Sequence, residues 1–163
     1  MRAWAEIVGS VALAIAAEPI HEVGHAVTTP LLTGTWPQIG FWAVHPSSGF
    51  GTKLHALIVL AAGDVAVLGW WLAVLVLIRR RPKMRWALTG PTFMTAIVLL
   101  NWMASALLMP FGHAELGASD AAKFLAISGI APGVLAVVIG VITTGATLLA
   151  TRYFGMPTPS PTA

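Results

Sequence analysis

Two histidines separated by three residues occur with two glutamates in the segment "EPIHEVGH", which covers residues 18–25. If this segment is helical, His21 and His25 lie on one face about one turn apart, with Glu22 beside them and Glu18 a turn earlier. Two imidazoles at this spacing can bind one zinc ion, and the glutamate after the first histidine can take a proton from a water molecule on the metal. The HExxH spacing therefore predicts a zinc site with His21 and His25 as ligands and Glu22 as the general base.

The chain that surrounds these groups is strongly apolar. Of its 163 residues, 57% are hydrophobic and only 9% are charged, and the mean hydropathy is +0.83. An Arg, Lys or Asp inside a membrane helix costs roughly 2.5 to 3.5 kcal/mol, so a cluster of ionisable groups there predicts a functional site. The alternative interpretation is a hydrogen-bonded polar seam that holds helices together, or a helix end among lipid headgroups.

A catalytic zinc ion usually has three protein ligands and one open position, so a third ligand must come from another part of the chain. The chain contains no cysteine, which leaves His, Asp or Glu. The candidates lie in the second apolar segment or between the third and the fourth, and they are Asp64, His113, Glu115 and Asp120. Asp120 also fits the first turn of a helix that begins at Ser119, where an acidic residue is favourable without any metal.

Four long apolar segments must position these groups. They run from about Ala3 to Thr29, Leu54 to Ile78, Trp86 to Pro110 and Ala121 to Phe154, the last interrupted at Gly129 and Pro132. About 20 apolar residues span a bilayer, and these runs are too long and too uniform for barrel strands. We therefore predict an all-α polytopic membrane protein, a bundle of about four transmembrane helices in one domain, residues 1–154. The stretch after Thr29, rich in Pro, Gly and Trp, is predicted as a loop that could include a short hairpin, and residues 155–163 as a disordered tail.

Basic residues flank the apolar segments unequally. With four spans, seven of them share one side of the membrane and only Lys53 and Lys123 face the other; the seven are Arg2, Arg79, Arg80, Arg81, Lys83, Arg85 and Arg152. The positive-inside rule then predicts cytoplasmic termini, and we expect an integral protein of the cell membrane of a prokaryote. Because the net charge of +3 comes from these flanks, no nucleic-acid partner is expected.

Three motifs resemble those of a known family. "IHEVGHAV" at the end of a first span, "LAAGD" in a second, and "LLMP" followed by "GASD" between a third and a fourth are similar to the site-2 protease family of intramembrane zinc metalloproteases, over roughly residues 8–125. The resemblance implies zinc bound by His21, His25 and Asp120, Glu22 as general base, and a membrane protein as substrate. Leu107 stands where the family has an asparagine, so a substrate-orienting role would fall to Asn101 if helix geometry brings it near.

Departures from the family pattern support other hypotheses. Asp120 is followed by Ala121 and not by glycine, and Asp64 stands where the family has proline. A noncatalytic membrane subunit, with a protease-like scaffold packed in a larger membrane complex, is therefore the main alternative. A third hypothesis is a transporter or channel that uses Glu18, Asp64 and Asn101, although no paired repeat is visible.

Overall fold

The computed structural model describes residues 2–40, 44–45, 49–112 and 119–154. Six α-helices and one pair of two-residue strands follow in the order α1 (Arg2–Ile15), α2 (Ala17–Thr33), β1 (Gln38–Ile39), β2 (Val44–His45), α3 (Lys53–Arg80), α4 (Thr89–Leu108), α5 (Asp120–Ser128) and α6 (Pro132–Phe154), with 3-10 turns at Pro82–Leu88 and Met109–Phe111 on either side of α4. The tail predicted at residues 155–163 lies outside this part of the chain.

Four helical segments in the described part are long and apolar enough to cross a membrane. They are Ala3–Thr33, Lys53–Arg80, Pro82–Phe111 and Pro132–Phe154. The prediction of an all-α membrane protein with four spanning helices is thus confirmed. The fourth apolar run divides where the sequence indicated, because Gly129 adopts a left-handed conformation with φ 72° and α6 begins at Pro132.

The first span is interrupted at one residue and is longer than predicted. The ring of Pro19 conflicts with the carbonyl four residues earlier, and α1 ends at that residue, Ile15. The prediction that helical structure ends at about Thr29 is wrong, because α2 continues through Pro30 to Thr33. A proline in the last turn removes only one intrahelical hydrogen bond, and the hydroxyls of Thr29 and Thr33 donate to carbonyls one turn earlier.

Helices α3 and α4 form the centre of the bundle. Helices α2 and α5 pack against α3, and α4 contacts α1, α3, α5 and α6. The described loop residues form the antiparallel pair β1–β2, with Gln38 opposite His45. One apolar core joins α4, α5 and α6 around Trp102, and a second joins α3 and α6 around Trp71. At the end of the bundle next to the second core, Arg79, Arg85 and Arg152 line one cavity, in agreement with the predicted grouping of basic residues.

Helices α2 and α3 are antiparallel and approach closely through small residues. A Cβ on Gly24 would overlap the carbonyl of Ala62, and a Cβ on Gly63 would lie 2.5 to 2.7 Å from ring atoms of His21 and His25. Small residues at a membrane helix interface allow such an approach. The two histidine rings are therefore held directly against the backbone of α3.

Helix α5 starts inside the bundle. Its first residue, Asp120, lies beside His25, and Gly129, the residue that follows its last turn, is close to Lys53 at the start of α3. Nine residues of helix are only about 13 Å long. The helix therefore covers only the part of the bundle between the histidines and the end opposite the arginines.

Candidate metal centre

The two histidines of α2 present one nitrogen each to the same point. The Nε2 atoms of His21 and His25 are 3.0 Å apart, and the rings meet edge to face with their centroids 4.7 Å apart. His25 is buried and His21 is half-buried. This pairing follows from their spacing of four residues on a helix.

The Nδ1 atom of His25 is occupied by a backbone contact. It lies 2.7 Å from the carbonyl oxygen of Val59 on α3. A carbonyl can only accept, so the proton of a neutral His25 ring resides on Nδ1 and the Nε2 lone pair is left free. The hydrogen bond fixes both the tautomer and the orientation of the ring, as is usual for histidines that bind a metal.

The His21 ring is held in the same way by a buried carboxylate. Its Nδ1 atom lies 3.2 Å from Oδ1 of Asp64, and Oδ2 of Asp64 accepts a hydrogen bond of 2.6 Å from Nε1 of Trp102. Asp64, which the sequence offered as a metal ligand or a polar partner, therefore lies on the side of the ring away from the second histidine. Its place is that of an outer partner which orients a ligand.

Asp120 faces the free nitrogens of both rings. Its Oδ2 atom is 3.0 Å from Nε2 of His25 and 3.5 Å from Nε2 of His21. Asp120 is also the first residue of α5, and the Ser119 hydroxyl accepts from the backbone N–H of Ala122, 3.1 Å away. Asp120 can therefore be both the first residue of α5 and a metal ligand.

The charge state of Asp120 suits a ligand. Burial acts to raise the pKa of its carboxyl group, but with no metal bound, donation from protonated His21 and His25 rings, together with Lys123, outweighs burial and holds that pKa well below its usual range. Lys123 Nζ lies 3.7 Å from the other carboxylate oxygen. The group is thus ionised at neutral pH, as metal binding requires.

These three side chains fit a metal ion. Their ligand atoms lie within 4.8 Å of one another, and the separations of 3.0, 3.0 and 3.5 Å are close to the edge of about 3.3 Å expected between ligands of tetrahedral zinc. Two nitrogen lone pairs and one carboxylate oxygen converge with no donor among them when both rings are neutral. A divalent cation at their centre would satisfy all three.

Glu22 lines a cavity that none of the three candidate ligands lines. Its Oε2 atom is buried without a hydrogen bond to any of the described residues. Its side chain lines a cavity of about 720 Å³ that also contains Glu18. An unpaired carboxylate does not fit the hydrogen-bonded polar seam, since every member of a seam should be satisfied.

The remaining predicted residues are not brought to the centre. Glu18 is exposed on α2. Asn101 is half-buried on α4, and no hydrogen bond in the described ranges joins it to His21, His25 or Asp120. Its substrate-orienting role stays a prediction, and the candidates His113 and Glu115 lie outside the described residues.

Sequence reasoning missed three supporting groups, namely the Val59 carbonyl, Trp102 and Gly63. A backbone acceptor leaves no trace in a sequence. Trp102 had a weak signal, since an indole N–H buried in an apolar span needs an acceptor, and Asp64 was available in the neighbouring span. Gly63 lies in the small-residue run "AAG", which is typical of close helix contacts.

Comparison of the chain with protein-family models, with curated proteins and with solved structures finds no match. The geometry of the candidate metal centre is therefore the basis for a functional proposal.

Proposed function

We propose that this protein is an intramembrane zinc metalloprotease of site-2 type, which hydrolyses a peptide bond within or beside the bilayer. The observation that supports the proposal most is the convergence of His21 Nε2, His25 Nε2 and Asp120 Oδ2. Glu22, with its unpaired Oε2 atom, directly follows His21 on α2. The apolar spans provide the membrane setting. We further propose that the arginine-rich end faces the cytoplasm of a prokaryotic cell.

Each residue of the centre has a separate task. His21, His25 and Asp120 would hold the ion, while Val59 and Asp64 keep the two rings in the tautomer that leaves Nε2 free. When bound, zinc lowers the pKa of a coordinated water molecule to about 7 and polarises a carbonyl oxygen. Asp64 is itself kept in place by Trp102.

We assign the proton transfer to Glu22, whose side chain must turn toward the metal ligands from the cavity that it lines, because none of the three ligands lines that cavity. It takes a proton from the attacking water and returns it to the leaving amine, which is general base and then general acid catalysis. Its Oε2 atom makes no hydrogen bond within the described structure, so the carboxylate is available for this task. No hydrogen bond in the described part of the chain joins Glu22 to His21, His25 or Asp120, so its loss should leave the ligand set intact.

A substrate would reach Glu22 through the cavity that the side chain lines. The cavity has a volume of about 720 Å³ and is bounded by α1, α2, Met94 of α4, Ile39 of β1 and the next residue, Gly40. This volume lies in the range of about 300 to 1,000 Å³ common for ligand sites. A peptide in lipid is helical and its carbonyls are hydrogen-bonded, so the substrate must unwind locally before it is cleaved.

The Glu22→Gln variant tests this proposal. It should keep its zinc, while cleavage of membrane-spanning peptides falls by about 10²- to 10⁴-fold, the usual contribution of a general base. Glu6→Gln, on the same span but far from the histidines, is the control and should cleave like the wild type. Zinc is measured by elemental analysis and cleavage by mass spectrometry of a peptide library in lipid vesicles. Equal cleavage by wild type and Glu22→Gln would refute the mechanism.

A noncatalytic subunit of a membrane complex is the second candidate, and one observation favours it. Only 6% of the apolar window of the first span is buried, against 39% for α3, so a large helical surface is available to another membrane protein. Wild-type protein that carries zinc, cleaves no peptide in the library and purifies with one membrane protein in fixed ratio would favour this candidate over the protease.

A further inference from the structure

Glu18 lies, by residue count, at the middle of a candidate membrane span. Residue 18 is the midpoint of the span Ala3–Thr33. An independent estimate comes from α3, because Pro19 and Ile20 line one cavity together with Val65 and Ala66, and the midpoint of Lys53–Arg80 falls next to Ala66. Both spans therefore place the carboxyl group of Glu18 at about the depth of the membrane centre.

This carboxyl group lies on the outer surface of the bundle. Glu18 is exposed, and no hydrogen bond or ion pair joins it to another residue in the described ranges. Ionisable side chains in membrane spans nearly always face the bundle interior or a partner, because contact with hydrocarbon is costly. An exposed, unpartnered glutamate at this depth therefore indicates that something polar covers it in the membrane.

A purely structural role does not account for Glu18. An acidic residue in the first turn of α2 could interact with free backbone N–H groups at a helix start. However, Pro19 has no N–H and the N–H of Ile20 donates to the carbonyl of Ala16. The start of α2 therefore exposes few free donors.

The surroundings of Glu18 indicate what would cover it. It lines the same cavity as Glu22, one helical turn away, and the other residues of that wall are largely apolar, such as Ile15 and Val23. An apolar groove with two carboxylates and no basic side chain in its described lining complements an apolar helix that carries a donor or a positive charge. Lipid tails would leave Glu18 without a partner.

We propose that this groove binds a membrane-spanning peptide segment with a basic side chain near the bilayer centre, and that Glu18 pairs with that side chain. The inference rests on the proposed function in one respect, namely that this segment is the substrate. Glu18 then acts as a specificity determinant, because it positions the basic side chain about one helical turn from the peptide bond that is presented to Glu22.

Binding in vesicles tests the inference without relying on turnover. Full-length protein in phosphatidylcholine vesicles is titrated with a fluorescent leucine-rich membrane-spanning peptide that has one central lysine, and with the same peptide carrying leucine there. Wild type should bind the lysine peptide about 3- to 20-fold more tightly, the range of interhelical hydrogen bonds in membranes. Glu18→Leu, a change that suits a lipid-facing helix, should remove this preference, and so should moving the lysine to the end of the peptide.

The outcomes separate this inference from the protease proposal. Equal binding of the two peptides by wild type would overturn the inference, as would a dimer of the protein alone that dissociates in Glu18→Leu, since a second copy would then cover the groove. Mass spectrometry of the same samples reports cleavage. A lysine preference without cleavage would support binding of a basic segment in the groove and count against the protease proposal. Cleavage without a preference would support the protease proposal and count against binding of a basic segment in the groove.

Discussion

The Nε2 atoms of His21 and His25 lie 3.0 Å apart, while their Nδ1 atoms contact the acceptors of Asp64 and Val59. Neither ring can turn an N–H toward its neighbour without losing one of these contacts, and an unpaired buried group costs about 1 to 3 kcal/mol. Without a cation, the pair must take up an extra proton or rearrange. The arrangement is therefore suited to the metal-bound state.

Metal removal should lower the thermal stability of the protein. If free zinc is about 100-fold above its dissociation constant, binding contributes about 2.7 kcal/mol to the free energy of unfolding. A chelator should therefore shift the melting temperature of wild type downward, and it should not shift that of His25→Ala, which lacks a ligand. Melting is followed in detergent by circular dichroism. A wild-type melting temperature unaffected by complete removal of zinc would contradict the prediction.

Gly63→Ala should disturb the metal centre directly. The new Cβ would lie 2.5 to 2.7 Å from ring atoms of His21 and His25, so one or both rings must move and zinc affinity should fall by about tenfold or more, as it does when ligand orientation is lost. Gly69→Ala is a matched control on the same helix, because nothing lies within 4 Å of its Cβ position. Competition with a fluorescent zinc chelator measures both affinities. Similar affinities in the two variants would show that α3 does not position the rings.

The Asp64 carboxylate should set zinc affinity although it is not a ligand. It accepts from both His21 and Trp102, and an asparagine has only one acceptor oxygen, so Asp64→Asn leaves one buried donor unpaired. We expect a 10- to 100-fold loss of zinc affinity, roughly the cost of losing an outer partner.

Trp102→Phe should weaken zinc binding to a smaller extent, because Asp64 stays but is less firmly held. Trp71→Phe is the matched control, since Trp71 is also buried and donates to Thr92 over 3.1 Å, away from the histidines. Both variants lose an indole hydrogen bond, but only Trp102→Phe should change zinc affinity in the chelator competition. An equal change in both would assign the effect to general packing.

Zinc binding by Asp120 should be separable from the capping of α5 by Ser119. Asp120→Asn should lose most of the bound zinc with little change in helix content, because Ser119 still caps α5. Ser119→Ala should destabilise the protein by about 0.5 to 2 kcal/mol through loss of the cap, while it keeps the carboxylate ligand. Zinc analysis and thermal melting of the two variants compare these effects. Full zinc content in Asp120→Asn would leave Asp120 with a structural role alone.

Much of the fold was accessible from the sequence because the bilayer restricts the choices. Four apolar runs of sufficient length leave only spanning helices, and Gly129 with Pro132 marked the break before α6. The end of α2 was misplaced, because Pro30 in a last turn is compatible with a helix that continues to Thr33. The break at Ala16 could have been foreseen from Pro19 and Ile15, which are four residues apart.

The site was only partly accessible from the sequence. The spacing of His21 and His25 placed both rings on one face of a helix, since that relationship is local. The choice between Asp64 and Asp120 depends on how α3 and α5 pack, and no local pattern contains this information. The roles of Gly63 and the Val59 carbonyl depend on the distance between the backbones of α2 and α3. Small residues permit a short distance, but they do not specify it.

The metal content of the purified protein tests the central claim most directly. After expression with zinc and removal of loosely bound ions, elemental analysis of wild type should find about one zinc ion per chain, the stoichiometry of a single three-ligand site. His21→Ala should have almost none, and Glu22→Gln should match wild type. A wild-type protein without metal, or zinc that His21→Ala retains in full, would contradict the account.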